Sequence, residues 1–489
     1  MPTLRPTYSL LRSCRCLLLA LGLLAGAGPA LAQIGLPGLP QFPGGLPSRL
    51  GDNGLRDRLR ERLLDTTELP RKVSLDQLRL LNVRELLQRH PAQLEPDPAG
   101  FPVVRREILA WSPSEAGLAA ASAAGLMVAS RQEMPEVGQA LVTLRVPDGV
   151  ATADALARLR AADPEGSYDF NHVYTGAGSA GVGEAADGDP ASARAAMGGG
   201  APRTAPREAK QDMPARPGRV ASAARGTRMT SSGAGATGAV GGDVRVGLVD
   251  SGIDGSHEVF ENARIVRWGC DGAARPAPHG TAVGALMIGK SERFTGAAPG
   301  AKLYAADIYC DQPTGGSASQ IVQALAWLAR EQVGVINISL VGPPNQMLGR
   351  VVQAMVARGH LLVAAVGNDG PAAPPLYPAS YPGVVGVTGI DPKRHPLPEA
   401  ARGPQVMFAA PGSQMAAAAI GTPPYKLVRG TSFASPLVAA LLAPRLPAPS
   451  PLQAAEAVSA LAANATVAGD GTGRGVVAEN LRVPPSAFR

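Results

Sequence analysis

Four residues of this chain could together carry out acyl transfer. Ser432 lies in Gly430-Thr431-Ser432-Phe433-Ala434-Ser435-Pro436, just before an apolar run to Pro444 that reads as the start of a buried helix. A serine placed there has backbone N–H groups and the positive end of the helix dipole beside its hydroxyl. Attack by serine also needs a base for its proton, an acid to orient the base and donors for the oxyanion. His279, in His279-Gly280-Thr281, supplies the base, and Asp250, at the end of an apolar stretch, the orienting acid. Asn368, in Gly367-Asn368-Asp369-Gly370, offers a side-chain amide for the oxyanion beside the Ser432 backbone N–H. Asp, His, Ser is one of the few chain orders that build a hydrolytic triad.

Each residue alone has a plainer reading: a serine N-cap, a histidine at a helix start, a strand-end turn aspartate, a turn asparagine before glycine. Of the six histidines, His257 is the local competitor, and its place in the turn after Asp250 suits a structural role. The joint arrangement is what carries weight, and it depends on elements that bring the four together. After residue 243 apolar strands alternate with helices. Strands are expected at 244–249, 302–307, 333–339, 361–366 and 384–388, and helices at 281–288, 317–331 and 346–358. The strands are apolar throughout, as in a parallel sheet covered on both faces, and the fold class is therefore α/β. In such sheets sites form at the carboxyl ends of strands, where Asp250, Asn337 and Asn368 fall.

The rest of the 489 residues frames this half. Residues 101–175 read β-α-β-β-α-β, a small split-βαβ unit with no catalytic cluster. Residues 33–100 combine a Pro/Gly-rich start with amphipathic helices at 55–64 and from Ser74 to Pro91. Residues 176–242 are rich in Ala, Gly, Ser and Pro and read as a disordered linker. Arg5, Arg12 and Arg15 precede an apolar core and Pro29-Ala30-Leu31-Ala32, so 1–32 read as a signal peptide cut after Ala32, leaving an exported chain, periplasmic or extracellular, with no membrane anchor. The net charge of +7 is thinly spread, and no basic face points to nucleic acid. Two cysteines remain after the signal, Cys270 and Cys310, and an oxidising compartment favours a disulfide between them. Their spacing fits no zinc motif. The expected form is a monomer with no cofactor and no metal.

The stretch Val246–Gly255 with Asp250, His279-Gly280-Thr281, Asn337-Ile338-Ser339-Leu340, Gly367-Asn368 and Gly430–Pro436 resembles the subtilisin-like serine proteases, the subtilase family, over about half the chain. The resemblance implies an endopeptidase domain at 243–482, followed by a short tail at 483–489. Asp250, His279 and Ser432 would form its triad and Asn368 would serve the oxyanion. Ser339, Leu340, Val341, Gly342 and Gly367 would line the substrate cleft. It also implies that 101–175 are a propeptide, chaperone and inhibitor in cis, whose C-terminal end enters the cleft of an enzyme made as a preproprotein. Four positions depart from the family pattern. Glu258-Val259 replace a usual Pro-Asp and with it a familiar calcium ligand. Val341 stands where glycine is usual and narrows the cleft. Ala282 replaces a structural histidine. The alternatives are a catalytically silent subtilase-fold protein that binds peptides, and an interaction protein working through its N-terminal helices.

Overall fold

A seven-stranded parallel sheet carries the functional half of the molecule. The computed structural model describes residues 75–176 and 244–488. The expected signal sequence, the helix at 55–64 and residues 177–243 lie outside them.

The first described segment begins with a helix, Leu75–Arg89, that ends before Pro91. An antiparallel sheet follows, built from β1 (Leu94–Pro96), β2 (Pro102–Trp111), β3 (Met127–Met134), β4 (Gln139–Arg145) and β5 (Tyr168–His172). Its order is β1-β2-β4-β3, with β5 also on β2. The helices Glu115–Ala123 and Thr152–Ala162 close one side over Ile108, Val142, Leu144, Leu156 and Leu159. Residues 102–172 thus form a β-α-β-β-α-β unit, with β1 as an added edge strand that has too few residues to give a periodic signal. Two further residues, β6 (Thr175–Gly176), leave this unit as a separate strand.

The large sheet has the order β14-β13-β12-β10-β7-β9-β8, every neighbour parallel. Its strands are β7 (Arg245–Asp250), β8 (Arg264–Trp268), β9 (Lys302–Asp307), β10 (Val335–Ile338), β12 (Leu361–Ala365), β13 (Val385–Ile390) and β14 (Val406–Pro411). A short strand, β11 (Leu340–Val341), continues just past β10. Side chains alternate between two cores, as strand geometry requires. Val246, Leu248, Leu361 and Val363 point to the helices Pro278–Ile288 and Thr431–Leu442. Val249, Ile336, Leu362 and Ala364 point to Ala318–Arg330 and Gln346–Ala357. Both faces are covered, which explains the unbroken apolar strands. The two strands that sequence reasoning missed, β8 and β14, are the edges. β8 reads Arg-Ile-Val-Arg-Trp and is half exposed, so its pattern looks like a loop.

The antiparallel unit docks on the second of these cores. Leu109, Trp111, Met134, Leu141 and Tyr174 share it with both covering helices. Polar contacts at the two helix starts complete the interface. Asp169 Oδ2 accepts from the Gln346 N–H (2.7 Å), and Asn171 Oδ1 accepts from the Ser319 N–H (3.0 Å). These are N–H groups that a helix cannot satisfy by itself. Residues 485–488 also belong to the body, since the Phe488 ring centre lies 4.2 Å from that of Tyr425.

Candidate active site

Strand β7 begins the parallel sheet and lies between β9 and β10, so the chain leaves it in opposite directions. That switch point is where α/β sheets bind ligands. Asp250 ends β7 and is buried. Its Oδ1 accepts from the Ser251 N–H (2.7 Å) and from His279 Nδ1–H (2.8 Å). The remaining ring nitrogen of His279, Nε2, is then the basic one.

His279 is held by its neighbours in the motif. Pro278 opens the helix Pro278–Ile288. A Cβ on Gly280 would lie 2.0 Å from the Ser251 carbonyl oxygen, so only glycine lets the helix start approach the Asp250 turn. The Gly280 N–H donates to Ser251 Oγ (3.0 Å), and Thr281 Oγ1 accepts from the Asp254 N–H (2.9 Å). His-Gly-Thr therefore clamps one helix end to the loop that carries the acid.

Ser432 is the second residue of the helix Thr431–Leu442, which packs on the His279 helix within one core. The Phe433 ring centre lies 5.4 Å from the His279 ring centre. Gly430, the N-cap, has φ +135°, a left-handed conformation, and a Cβ there would approach Asn368 Nδ2 to 2.9 Å and Ser432 Oγ to 3.6 Å. Both groups therefore face the same small space. The Asn368 orientation is set by its oxygen, which accepts from the Thr431 N–H (3.0 Å). Its Nδ2 is left buried and, like Ser432 Oγ, without a hydrogen-bond partner among the described residues. A buried donor left open costs stability, and such donors recur where charge develops during reaction. Thr431 Oγ1 further accepts from the Gly367 N–H (3.2 Å), tying the Asn368 turn to the Ser432 helix.

The expected cleft residues fall into two sets. Leu340 and Val341 form an antiparallel ladder with β6, Leu340 opposite Gly176 and Val341 opposite Thr175. Gly342 pairs on its other side with Tyr377, and a Cβ on it would meet the Tyr174 ring at 2.4 Å. Ser339 is buried and donates to the Ser432 carbonyl (3.0 Å), so it braces the helix that carries Ser432. Gly367, at φ +102°, turns the chain into Asn368.

Sequence reasoning missed a second set of residues that holds the segment at Tyr174. The Tyr174 N–H donates to the Gly316 carbonyl (2.9 Å), and Tyr309 Oη donates to the Tyr174 carbonyl (3.2 Å). Tyr174 Oη donates to the Pro343 carbonyl (2.8 Å). The docked segment thus lies between 309–316 and 340–342. Gly315-Gly316 ahead of a helix cap is the signal that could have marked the first of these.

Cys270 and Cys310 are joined by a disulfide, with Cα atoms 5.2 Å apart, linking the turns after β8 and β9. Beside it, burial raises the carboxyl pKa of Asp307, opposed by N–H donation from Cys310 and Tyr309. Asp307 stands opposite Asp250 in the β7–β9 register. Val259, where the resemblance leads one to expect a calcium-binding aspartate, is buried and apolar. Glu258 beside it accepts from the Tyr425 hydroxyl. That position offers no side-chain ligand to calcium.

The sequence profile described as the subtilase family (Peptidase_S8) matches residues 241–476. Subtilisin E of Bacillus subtilis (strain 168) is 32% identical over 211 residues, 41% of this chain and 55% of that protein, so the chain spans about half the length of that relative. Subtilisin DY of Bacillus licheniformis is 32% identical over 250 residues, 48% of this chain and 88% of that protein. A crystal structure of fervidolysin from Fervidobacterium pennivorans, described as a keratinolytic enzyme related to subtilisin, matches with TM-score 0.55 over 78% of this chain and 61% of that one. Its identity is 17%, which speaks for the fold alone. Matched at this level across most of subtilisin DY, and with Asp250, His279, Asn368 and Ser432 at the ends of the elements just described, the chain belongs to the subtilase family.

Proposed function

We propose that this protein is a serine endopeptidase that is made with its own inhibitor and exported. The observation that carries the reading is the seating of β6. The chain lays Thr175-Gly176 as a strand on Leu340-Val341, one register step from Ser339, whose hydroxyl is bonded to the Ser432 carbonyl. An extended peptide on that edge runs toward the nucleophile, the way a substrate strand is aligned.

In the proposed reaction Ser432 Oγ attacks the carbonyl carbon of the scissile bond while His279 Nε2 takes its proton. Asp250 keeps the ring oriented and stabilises its charged form. The oxyanion meets Asn368 Nδ2 and the Ser432 N–H. The tetrahedral adduct collapses to an acyl-enzyme as His279 returns the proton to the leaving amine. Water, deprotonated by His279, then hydrolyses the ester. Residues 101–175 act as a propeptide in cis, and residues 1–32 direct export of a chain that works as a monomer on protein or peptide substrates. The intact Asp250, His279, Asn368 and Ser432 speak against the silent peptide-binding alternative.

The test is the full chain beside Ser432→Ala. The native chain is expected to cleave itself, to hydrolyse casein and to react with a fluorophosphonate at Ser432. The variant is expected to stay uncut, unlabelled and inactive. Normal processing of purified Ser432→Ala, or a native chain that neither labels nor cuts, would sink the proposal.

A further inference from the structure

The β6–β11 register says which substrate side chain sits beside the bond to be cut. Gly176 stands opposite Leu340 and Thr175 opposite Val341. The ladder is antiparallel, so a peptide carried one residue further along it falls opposite Ser339. Ser339 is the residue bonded to the Ser432 carbonyl, 3.0 Å away. A peptide residue at that place would present its carbonyl to Ser432. Its side chain must go into the space between the 340–342 strand and the turn that leads into Asn368.

That space is already filled. Val341, Ala365 and Leu376 form a small apolar cluster of their own, exposed by 6%, 0% and 3%. Two of the three side chains end on the backbone just before Asn368. A Cβ on Gly367 would come within 2.5 Å of Leu376 Cδ1 and 3.5 Å of Val341 Cγ1. Both residues are held at the backbone. Val341 belongs to the paired strand β11. Leu376 precedes Tyr377, which exchanges both backbone hydrogen bonds with Gly342 (2.9 and 3.0 Å), and its own carbonyl accepts from the Ser380 N–H (3.1 Å). The two residues come from opposite sides of one closed backbone frame and meet over Gly367.

We infer that the subsite next to the scissile bond admits only Gly, Ala or Ser, and that this protein cuts after small residues. Leu376 is the specificity-determining residue and Val341 its partner. A large side chain there would have to displace packed aliphatic groups, which close-packed interiors resist. The chain's own sequence beyond Gly176 reads Ala177-Gly178-Ser179-Ala180, four residues that meet the requirement. The inference rests on the hydrolase reading above.

The experiment uses the full chain after activation and peptides of one sequence that differ only in the residue before the cut: Gly, Ala, Leu or Phe. Mass spectrometry locates the bond broken, and a small fluorophosphonate counts reactive Ser432 in each preparation. The native protein is expected to show kcat/KM for Ala at least roughly tenfold above that for Phe or Leu, the scale a filled apolar pocket supports. Leu376→Gly is expected to raise the Phe/Ala ratio by a similar factor, and Val341→Gly to raise it less. A labelled native protein that cuts after Phe as fast as after Ala overturns the inference. So does an unchanged ratio in whichever of the two variants labels. Absence of both labelling and cutting in the native chain fails the hydrolase reading itself, which is a different result.

Discussion

Asn368 does two jobs with one amide. Its oxygen is spent on the Thr431 N–H, and this aims the nitrogen at the space beside Ser432. Asn368→Ala is therefore expected to lower kcat by roughly 10² to 10³, the usual loss of one oxyanion donor, with KM changed little. Steady-state kinetics on the activated protein check it. At the residue scale the sequence was most legible where a motif is local, because Gly280, Thr281, Gly430 and Thr431 each make a contact their own type requires. Leu376 carried no such mark. It sits in a Pro-rich stretch without periodicity, and only the fold brings it to Gly367. A second residue-scale expectation concerns stability. Burial, and then the nearby charge of Arg358, lowers the His360 pKa, while the hydrogen bond to the Val333 carbonyl works the other way. The unfolded chain takes up this proton near pH 6.5, and the folded chain resists it until lower pH. Stability from this group is therefore complete above pH 6.5 and falls as pH drops below it. His360→Gln should flatten the pH dependence of denaturant midpoints below about pH 6.5.

At the scale of elements, the burial pattern explains what sequence could supply. Central strands β7, β10 and β12 are covered on both faces and read as apolar runs. The edge strand β8 is exposed or half-buried throughout, β14 is a largely buried six-residue run, and β11 has only two residues. β8 and β11 could not be seen before pairing was known, whereas β14 carried the apolar signal and was missed. The turns after β8 and β9 have a different anchor, the Cys270–Cys310 bond, which spans a sequence separation of 40. Closing a loop of that length stabilises by roughly 4 kcal/mol in the chain-entropy account. The double variant Cys270→Ser/Cys310→Ser should lower the guanidinium midpoint accordingly. The 309–316 side of the cleft hangs from that bond, so KM for peptides should rise in the same variant.

Among the described residues the two larger sheets share one core, and the antiparallel unit supplies partners that the other half lacks alone. Asp169 serves one exposed helix start and Asn171 another, from β5. If the unit inhibits in cis as proposed, Asp169→Ala should weaken that inhibition by about 1 kcal/mol, the scale of a lost cap, or roughly fivefold in the inhibition constant. Titrating activated protein with the purified unit measures it. The layered α/β plan and the β-α-β-β-α-β order were both readable from apolar patterning. Their mutual docking was not, because the apolar residues that make it, among them Leu109, Trp111 and Met134, look like any other core positions, and the polar contacts that complete it are single residues with no periodicity. Docking through β6 has a final consequence. While the chain is continuous, the bound strand competes with outside peptides at an effective concentration on the order of millimolar or below, fixed by its covalent connection. One cut between 177 and 243 replaces that figure with the concentration of the protein itself. On this reading the molecule responds to dilution: crowded at its source it holds itself shut, and released into a larger volume it opens without any further signal.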